Sequence, residues 1–282
     1  MLATMEKPAF TVHRPQSAAT CVVFASPHSG SNYSEAFLSQ TVLSHQTIRS
    51  SEDAFVDELI SNAPRFGAPI LTASMPRAFI DLNRSADELD PAVIAGLRTV
   101  THNPRISSGL GVIPRVVANG RAIYRGKISL KEAQARIDTY WWPYHHQLAE
   151  LLDEAHGVFG QAILLDIHSM PHEALEGLYA NGGRAPDVVL GDRFGAAASS
   201  RIVDVVEAAF SAAGLRVARN APFAGAYVAQ RYGRPNQNQH AIQVEIDRRL
   251  YMDEARIVPR PDFNEFKSLL TGVMAEICGY YR

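Results

Sequence analysis

The sequence predicts an α/β fold built on a mixed, mostly parallel sheet covered by helices on both faces. Three observations carry that expectation. Short β-rich apolar runs alternate along the chain with longer segments of helical period. The chain is long enough, at 282 residues of which 46% are hydrophobic, to bury a substantial core. The run 162–165 turns polar at its carboxyl end with Asp166 and His168. That is the pattern of a strand bringing side chains to the edge where open α/β sheets place ligands. The expected division is a flexible arm over residues 1–19 and a single α/β domain over 20–282.

Taken in order, residues 20–26 (Thr-Cys-Val-Val-Phe-Ala-Ser) are β-rich and bounded by Pro27, which predicts a buried strand. A tight turn, Pro27-His28-Ser29-Gly30, stands at its carboxyl end. From Ser51 the spacing predicts a helix, with Phe55, Val56, Leu59, Ile60 and Ala63 on one stripe and Gly67 closing it. Residues 69–74 and 78–82 read as strands, the second running into Asn83-Arg84. Residues 85–128 are punctuated by Gly and Pro and carry Arg98, Arg105, Arg115, Arg121 and Arg125. Such a length without clear periodicity suggests an excursion over the sheet edge, a kind of segment that often carries function.

Ser129 and Glu132 form a capping box for a long helix that reaches about Ala155, with a kink expected at Pro143. Its His145 and His146 lie among Tyr140, Trp141 and Trp142, which favours an aromatic packing face over a ligand role. Residues 187–190 and 215–218 read as short strands on either side of a helix over about 198–213, ended by Gly214. Residues 220–233 read as a loop-and-strand unit. Residues 240–247 form the last strong strand, with Ile242, Val244 and Ile246 on one face and Gln243 and Glu245 on the other. Asp262 with Glu265 caps a final helix, apolar at Phe266, Leu269, Leu270, Val273 and Ile277.

A net charge of −2, with Lys and Arg spread along the chain, gives no hint of a nucleic-acid or anionic-membrane partner. Cys21 and Cys278 fit neither a zinc-cysteine spacing nor a secreted disulfide framework. Residues 1–10 lack the apolar core of a signal peptide, and no apolar run reaches membrane-spanning length. The expectation is a soluble cytoplasmic protein with a small-molecule partner. Oligomeric state is not legible in these features.

Chemistry concentrates at the predicted strand ends. Residues two apart on a strand share a face, so Asp166 and His168 emerge together, and the carboxylate can orient the ring or sit behind it. Each signal also has an ordinary explanation. Asp166 and His168 suit a strand-end hydrogen bond, His28 a surface turn, and Glu52 and Asp53 the positive end of a helix. Glu245 stands between apolar strand neighbours, so it needs either an ion-pair partner or a working acid/base role. Together these residues make a set that also includes Asn83-Arg84. Two histidines and one carboxylate, with a position left for water, recur as the ligands of catalytic zinc. The metal lowers the pKa of that water to about 7 and polarises a carbonyl, while a nearby carboxylate carries the proton to the leaving nitrogen. Arg84 offers a fork for a substrate carboxylate that Lys could not match.

The ordered segments Ser26-Pro27-His28-Ser29-Gly30, Glu52-Asp53-Ala54-Phe55, Ile80-Asp81-Leu82-Asn83-Arg84 and Asp166-Ile167-His168-Ser169 continue with Gly225-Ala226-Tyr227, Tyr232-Gly233 and His240-Ala241-Ile242-Gln243-Val244-Glu245. Extended by Leu250-Tyr251-Met252, this order resembles the N-formylglutamate amidohydrolases over roughly residues 20–255. The resemblance implies a phosphorylase/hydrolase-like fold similar to that of zinc carboxypeptidases and aspartoacylase. It implies one zinc ion, or another divalent metal, held by His28, Asp53 and His168, with Asp166 behind His168. It places Asn83 and Arg84 on a substrate carboxylate and makes Glu245 the general base and acid. Asp53 rather than Glu52 matches the acid that precedes the aromatic position. Arg77 and Arg115 are expected along the substrate pocket, and Gly225-Ala226 departs from the Gly-Gly of many members.

The activity so implied is metal-dependent hydrolysis of N-formyl-L-glutamate to L-glutamate and formate, a late step of histidine breakdown. Two competing expectations are a deacylase of another N-acyl amino acid or small peptide, and a catalytically silent protein that binds an acidic metabolite. A serine hydrolase fits less well, because Ser29 and Ser169 flank the histidines without a nucleophile-elbow pattern.

Overall fold

The computed structural model describes residues 8–97, 103–179 and 184–282; Arg98 lies outside them. Seven strands form one mixed sheet: β1 (Phe10–His13), β2 (Val22–Ser26), β3 (Ile70–Ala73), β4 (Ala162–Met170), β5 (Val188–Gly191), β6 (Val217–Arg219) and β7 (Gln239–Asp247). Their order across the sheet is β1-β3-β2-β4-β7-β5-β6. Strands β3, β2, β4 and β7 run parallel to one another, and β5 is parallel to β6. The β1–β3 and β5–β7 pairings are antiparallel.

Helices cover both faces, which is why the central strands are apolar on both sides. The main ones are α1 (Val56–Leu59), α2 (Trp142–Phe159), α3 (Ser200–Ala212), α4 (Tyr227–Tyr232) and α5 (Phe263–Tyr280). Ile163, Leu165, Ile167, Ile242, Val244 and Ile246 pack in one core with α1, α3 and α5. Val23, Ala25, Leu164 and Ala241 pack in the other with α2 and α4. β4 and β7 pair along their whole length, and the register sets Asp166 beside Gln243 and His168 beside Glu245. Four polar side chains therefore collect on one face near the carboxyl ends of the two central strands.

The structure departs from the sequence expectations at several elements. Phe10–His13, placed in the flexible arm, forms edge strand β1. Phe10 and Val12 pack on the core while Thr11 and His13 alternate outward, so the segment has both a ladder and an apolar face. The helix expected from Ser51 is broken into a 3-10 turn, Arg49–Ser51, and the short α1. Between them the Asp53 N–H donates to the His28 carbonyl at 3.0 Å, and Phe55 adopts φ +67°. A tertiary hydrogen bond there outweighs helix propensity.

Residues 78–82 form turns rather than a strand. Phe79 and Ile80 donate to the Pro76 carbonyl and Asp81 to that of Val112, and Ala78, Ile80, Asp81 and Leu82 are all buried. The helix kinked at Pro143 is two helices, Leu130–Arg136 and α2, joined by a π turn at Ile137–Trp141. Pro143 sits in the first turn of α2, where its missing N–H costs nothing. The 220–233 unit holds helix α4 instead of a strand. The excursion carries a short helix, Pro104–Ser107, and is pinned by a cluster of Phe37, Ile48, Ala78, Val117 and Ile123. No helix among the described residues is long and apolar enough to cross a membrane.

Gly30 lets the His28 turn lie directly on the backbone after β3: an added Cβ would collide with the Ser74 and Met75 main chain. Gly30→Ala is expected to lower stability by about 1–3 kcal/mol in urea denaturation. A variant as stable as the parent would show that the turn can move without loss.

Candidate active site and metal centre

His28 follows β2, Asp53 occupies the turn before α1, and His168 lies near the end of β4. One ligand atom from each of these three buried residues lies within 4.8 Å of the others. His168 Nδ1 is 3.1 Å from Asp53 Oδ2 and 3.1 Å from His28 Nδ1, and His28 Nδ1 is 3.6 Å from Asp53 Oδ2. The far ring nitrogens are committed to other carboxylates: His28 Nε2 to Asp81 Oδ1 at 2.7 Å, His168 Nε2 to Asp166 Oδ2 at 2.9 Å. A carboxylate only accepts, so both Nε2 atoms carry protons. In neutral rings the two Nδ1 lone pairs then face each other and a carboxylate oxygen. Three acceptors converging in a buried space call for a cation between them. Two imidazoles and a carboxylate, each ring braced by a second carboxylate, are a donor set that suits a divalent metal.

The electrostatics agree. Burial alone would lower the His168 pKa, but the charge and hydrogen bond of Asp166 and the hydrogen bond to Asp53 hold it well above the usual histidine value. Burial likewise raises Asp53, yet its hydrogen bonds to His168 and His28 and the Arg248 charge keep it well below the usual carboxylate range. Asp81 is held down in the same way, against its burial, by Arg77 and His28. Without a metal a proton takes the central place, and a metal that binds there displaces it.

Asp53 is fixed from behind. Its Oδ1 accepts from Ser169 Oγ and from Arg248 Nη2, each at 3.0 Å, and Arg248 also donates to Ser169 Oγ and the Ser50 carbonyl at 3.0 Å. Sequence reasoning did not identify Arg248, and the only signal was an arginine three residues beyond Glu245. The neighbouring Glu52 is taken up elsewhere, by two bonds from Arg49 at 2.9 Å and one from Tyr33 Oη at 3.0 Å.

Asn83 is held at both ends of its amide: Oδ1 accepts from the Val228 N–H at 2.8 Å and Nδ2 donates to Gln243 Oε1 at 3.1 Å. Helix α2 and the π turn before it clamp the backbone on either side. His145 Nε2 donates to the Leu82 carbonyl and Trp141 Nε1 to the Arg84 carbonyl, both at 2.9 Å. Burial lowers the His145 pKa to about 3, so this ring is a neutral structural pin.

Beside Glu245 lies a cavity of about 370 Å³, walled by Arg77, Asp81, Ser169, Phe223, Arg248 and the excursion between residues 108 and 120. Burial pushes the Glu245 carboxyl up to about 7, against the pull of His168, a value suited to proton transfer near neutrality. Arg77 reaches the cavity with its Nε anchored on Asp81 Oδ2 at 2.9 Å. Arg84 and Arg115, expected on substrate, do not line it. Arg84 spends Nε and Nη1 on the carbonyls of Leu110 and Asn83, both at 2.9 Å, and Arg115 pairs with Asp90 Oδ2 at 2.9 Å. Both guanidiniums hold the excursion in place instead.

Arg248→Met would leave the buried Asp53 carboxylate without its guanidinium partner. We expect a loss of roughly 3–5 kcal/mol in metal-free urea denaturation, as for removal of one partner of a buried ion pair. A loss below about 1 kcal/mol would show that Ser169 and the histidines suffice.

A sequence model of the N-formylglutamate amidohydrolase family matches residues 20–252. The N-formylglutamate deformylase of Pseudomonas aeruginosa is 30% identical over 241 residues, covering 83% of this chain and 82% of its own. That of Pseudomonas putida is 28% identical over 240 residues, with coverage of 83% and 82%. The crystal structure of N-formylglutamate amidohydrolase from Ralstonia eutropha aligns with a TM-score of 0.91 and 35% identity over 98% of this chain and 99% of that one. A gene product of Agrobacterium tumefaciens, 16% identical, shares the fold with a TM-score of 0.66 over 97% of this chain and 96% of that one. The family match runs from β2 past the glutamate of β7, and the chain belongs to the N-formylglutamate amidohydrolase family.

Proposed function

We propose that the chain hydrolyses the amide of N-formyl-L-glutamate to L-glutamate and formate, using a divalent metal, zinc by its ligand set, at His28, Asp53 and His168. The observation that carries this reading is the convergence of three buried acceptors next to the cavity that Glu245 and Arg77 line. The names of the two deformylase relatives supply the substrate. The likeness to zinc carboxypeptidases and aspartoacylase belongs to this reading and rests on the shared order His, acid, Asn-Arg, His, Glu. So does a cytoplasmic location, where a soluble metabolite would be met.

Zinc at this centre supplies Lewis acidity toward the formyl carbonyl and lowers the pKa of water to about 7. The chain's own residues do the rest. Glu245, as carboxylate, takes a proton from the attacking water and delivers it to the amide nitrogen as the C–N bond breaks. The water oxygen stays with the formyl carbon and the water's second proton also ends on the nitrogen, so the products are formate and the ammonium of glutamate. Asp81 and Asp166 keep the two rings turned with Nδ1 inward. Arg77 is the guanidinium we assign to a substrate carboxylate, since it lines the cavity and is aimed by Asp81. Asn83, Arg84 and Arg115 are held by bonds to Val228, Leu110 and Asp90 and do not line the cavity.

Treatment with a chelator is expected to abolish formylglutamate turnover, and zinc to restore it. Glu245→Gln should retain metal and lose about two to four orders of magnitude in kcat. Because the base works ionised, kcat/KM should fall on the acid side, with its limb at or below about 7. Full activity after verified metal removal would exclude the metal, and near-normal Glu245→Gln would assign the base elsewhere.

Arg77→Ala should reduce kcat/KM on formylglutamate by roughly 2–5 kcal/mol, and less on its uncharged diamide. Arg84→Ala should lower the melting temperature and affect both substrates equally. A carboxylate-selective loss in Arg84→Ala, with none in Arg77→Ala, would return the carboxylate contact to Arg84.

A further inference from the structure

Gln243 stands two residues before Glu245 on β7, so the two side chains share a face, and it is only 5% exposed. An uncharged amide buried between core strands is unfavourable unless its donors and acceptor are used. Here both ends are used. Gln243 Oε1 accepts from the Ala226 N–H at 2.9 Å and from Asn83 Nδ2 at 3.1 Å, while Gln243 Nε2 donates to Glu245 Oε1 at 2.7 Å. The network dictates this orientation, because a flipped amide would set its NH₂ against two donors and its oxygen against a carboxylate. Asn83 cannot turn either, since its Oδ1 is already bound by the Val228 N–H. A continuous path of hydrogen bonds thus runs from the backbone at 226–228, through two buried amides, to one oxygen of Glu245.

We propose that Gln243 is a positioning residue for the hydrolysis: it pins Glu245 Oε1, so that Oε2 is the oxygen presented to the proton being moved. The inference rests on the reading of Glu245 as the general base. A glutamate side chain has three rotatable bonds, and no other side chain among the described residues hydrogen-bonds Glu245. Fixing one oxygen limits the carboxylate to the arrangement that transfers a proton, and rates depend steeply on such orientation. Gln243 touches neither substrate nor metal in this account and acts only through Glu245.

The test is a double-mutant cycle on the zinc-loaded enzyme with N-formyl-L-glutamate, comparing the parent, Gln243→Met, Glu245→Gln and the double variant. Methionine keeps the length and volume of the side chain and removes the donor. Gln243→Met is expected to lose about 10- to 100-fold in kcat, with KM and zinc content within about twofold of the parent. In the Glu245→Gln background the same substitution should change kcat by less than about twofold, because no base remains to be oriented. Parent-like kcat in Gln243→Met overturns the proposal. So does a full loss repeated in the Glu245→Gln background, which would mark Gln243 as a general structural support. If Glu245→Gln is itself near normal, the base reading fails and the positioning role with it. If Glu245→Gln is inactive and Gln243→Met is not impaired, only the positioning role fails. Should Gln243→Met not fold, Gln243→Leu, which also removes the donor to Glu245 without adding a charge, is read by the same cycle with the same outcomes.

Discussion

Two imidazole nitrogens and a carboxylate oxygen, all buried, point at one another across the centre of this protein, and much of the surrounding architecture exists to make that tolerable. Acceptors crowded into a low-dielectric space repel unless a cation lies between them. Both rings are turned the same way: Asp81 and Asp166 hold the outer nitrogens, leaving His28 Nδ1 and His168 Nδ1 inward. Arg248 and Ser169 hold the remaining oxygen of Asp53. Four buried carboxylates, of Asp53, Asp81, Asp166 and Glu245, are set against the guanidiniums of Arg77, Arg84 and Arg248.

The sheet provides the rigidity. Parallel pairing of β2, β4 and β7 brings their carboxyl ends to one edge, and the β4–β7 register fixes His168 beside Glu245 to within a residue. A slip of one position would send every one of these polar groups into the apolar layer on the opposite face. The apolar partners in that layer, Ile167, Val244 and Ile246 among them, therefore specify the site as firmly as its own hydrogen bonds do.

The excursion and the cavity are coupled through arginine. Arg84 and Arg115 tie residues 107–110 and Asp90 together, while Arg136 lies over the Phe79 ring at 4.0 Å and bonds Tyr124 Oη at 2.7 Å. The result is a wall over the sheet edge built largely from turns and short elements such as the helix Pro104–Ser107. Arg77 is the guanidinium of the 77–84 stretch that lines the cavity, because Asp81 anchors its Nε there.

The long strands and helices, the buried central pair 162–170 and 239–247, and the ordered His, acid, His, Glu motifs were all legible in the amino-acid sequence. Period and composition encode them locally: uninterrupted apolar runs, a capping box at Ser129, and Gly214 closing a helix. Tertiary structure alone decided the rest. Whether Glu52 or Asp53 turns inward depends on Arg49 and Tyr33 capturing one of them. The fate of 78–82 depends on which carbonyls its N–H groups meet, not on its apolar composition. Arg77, Arg84 and Arg115 are chemically equivalent in the sequence, and only the folded chain assigns carbonyls to one, Asp90 to another and the cavity to the third. The division follows from range: an apolar period acts over a few residues, whereas the roles of Arg248 on Asp53 and of Asn83 on Gln243 are set by partners 195 and 160 residues away.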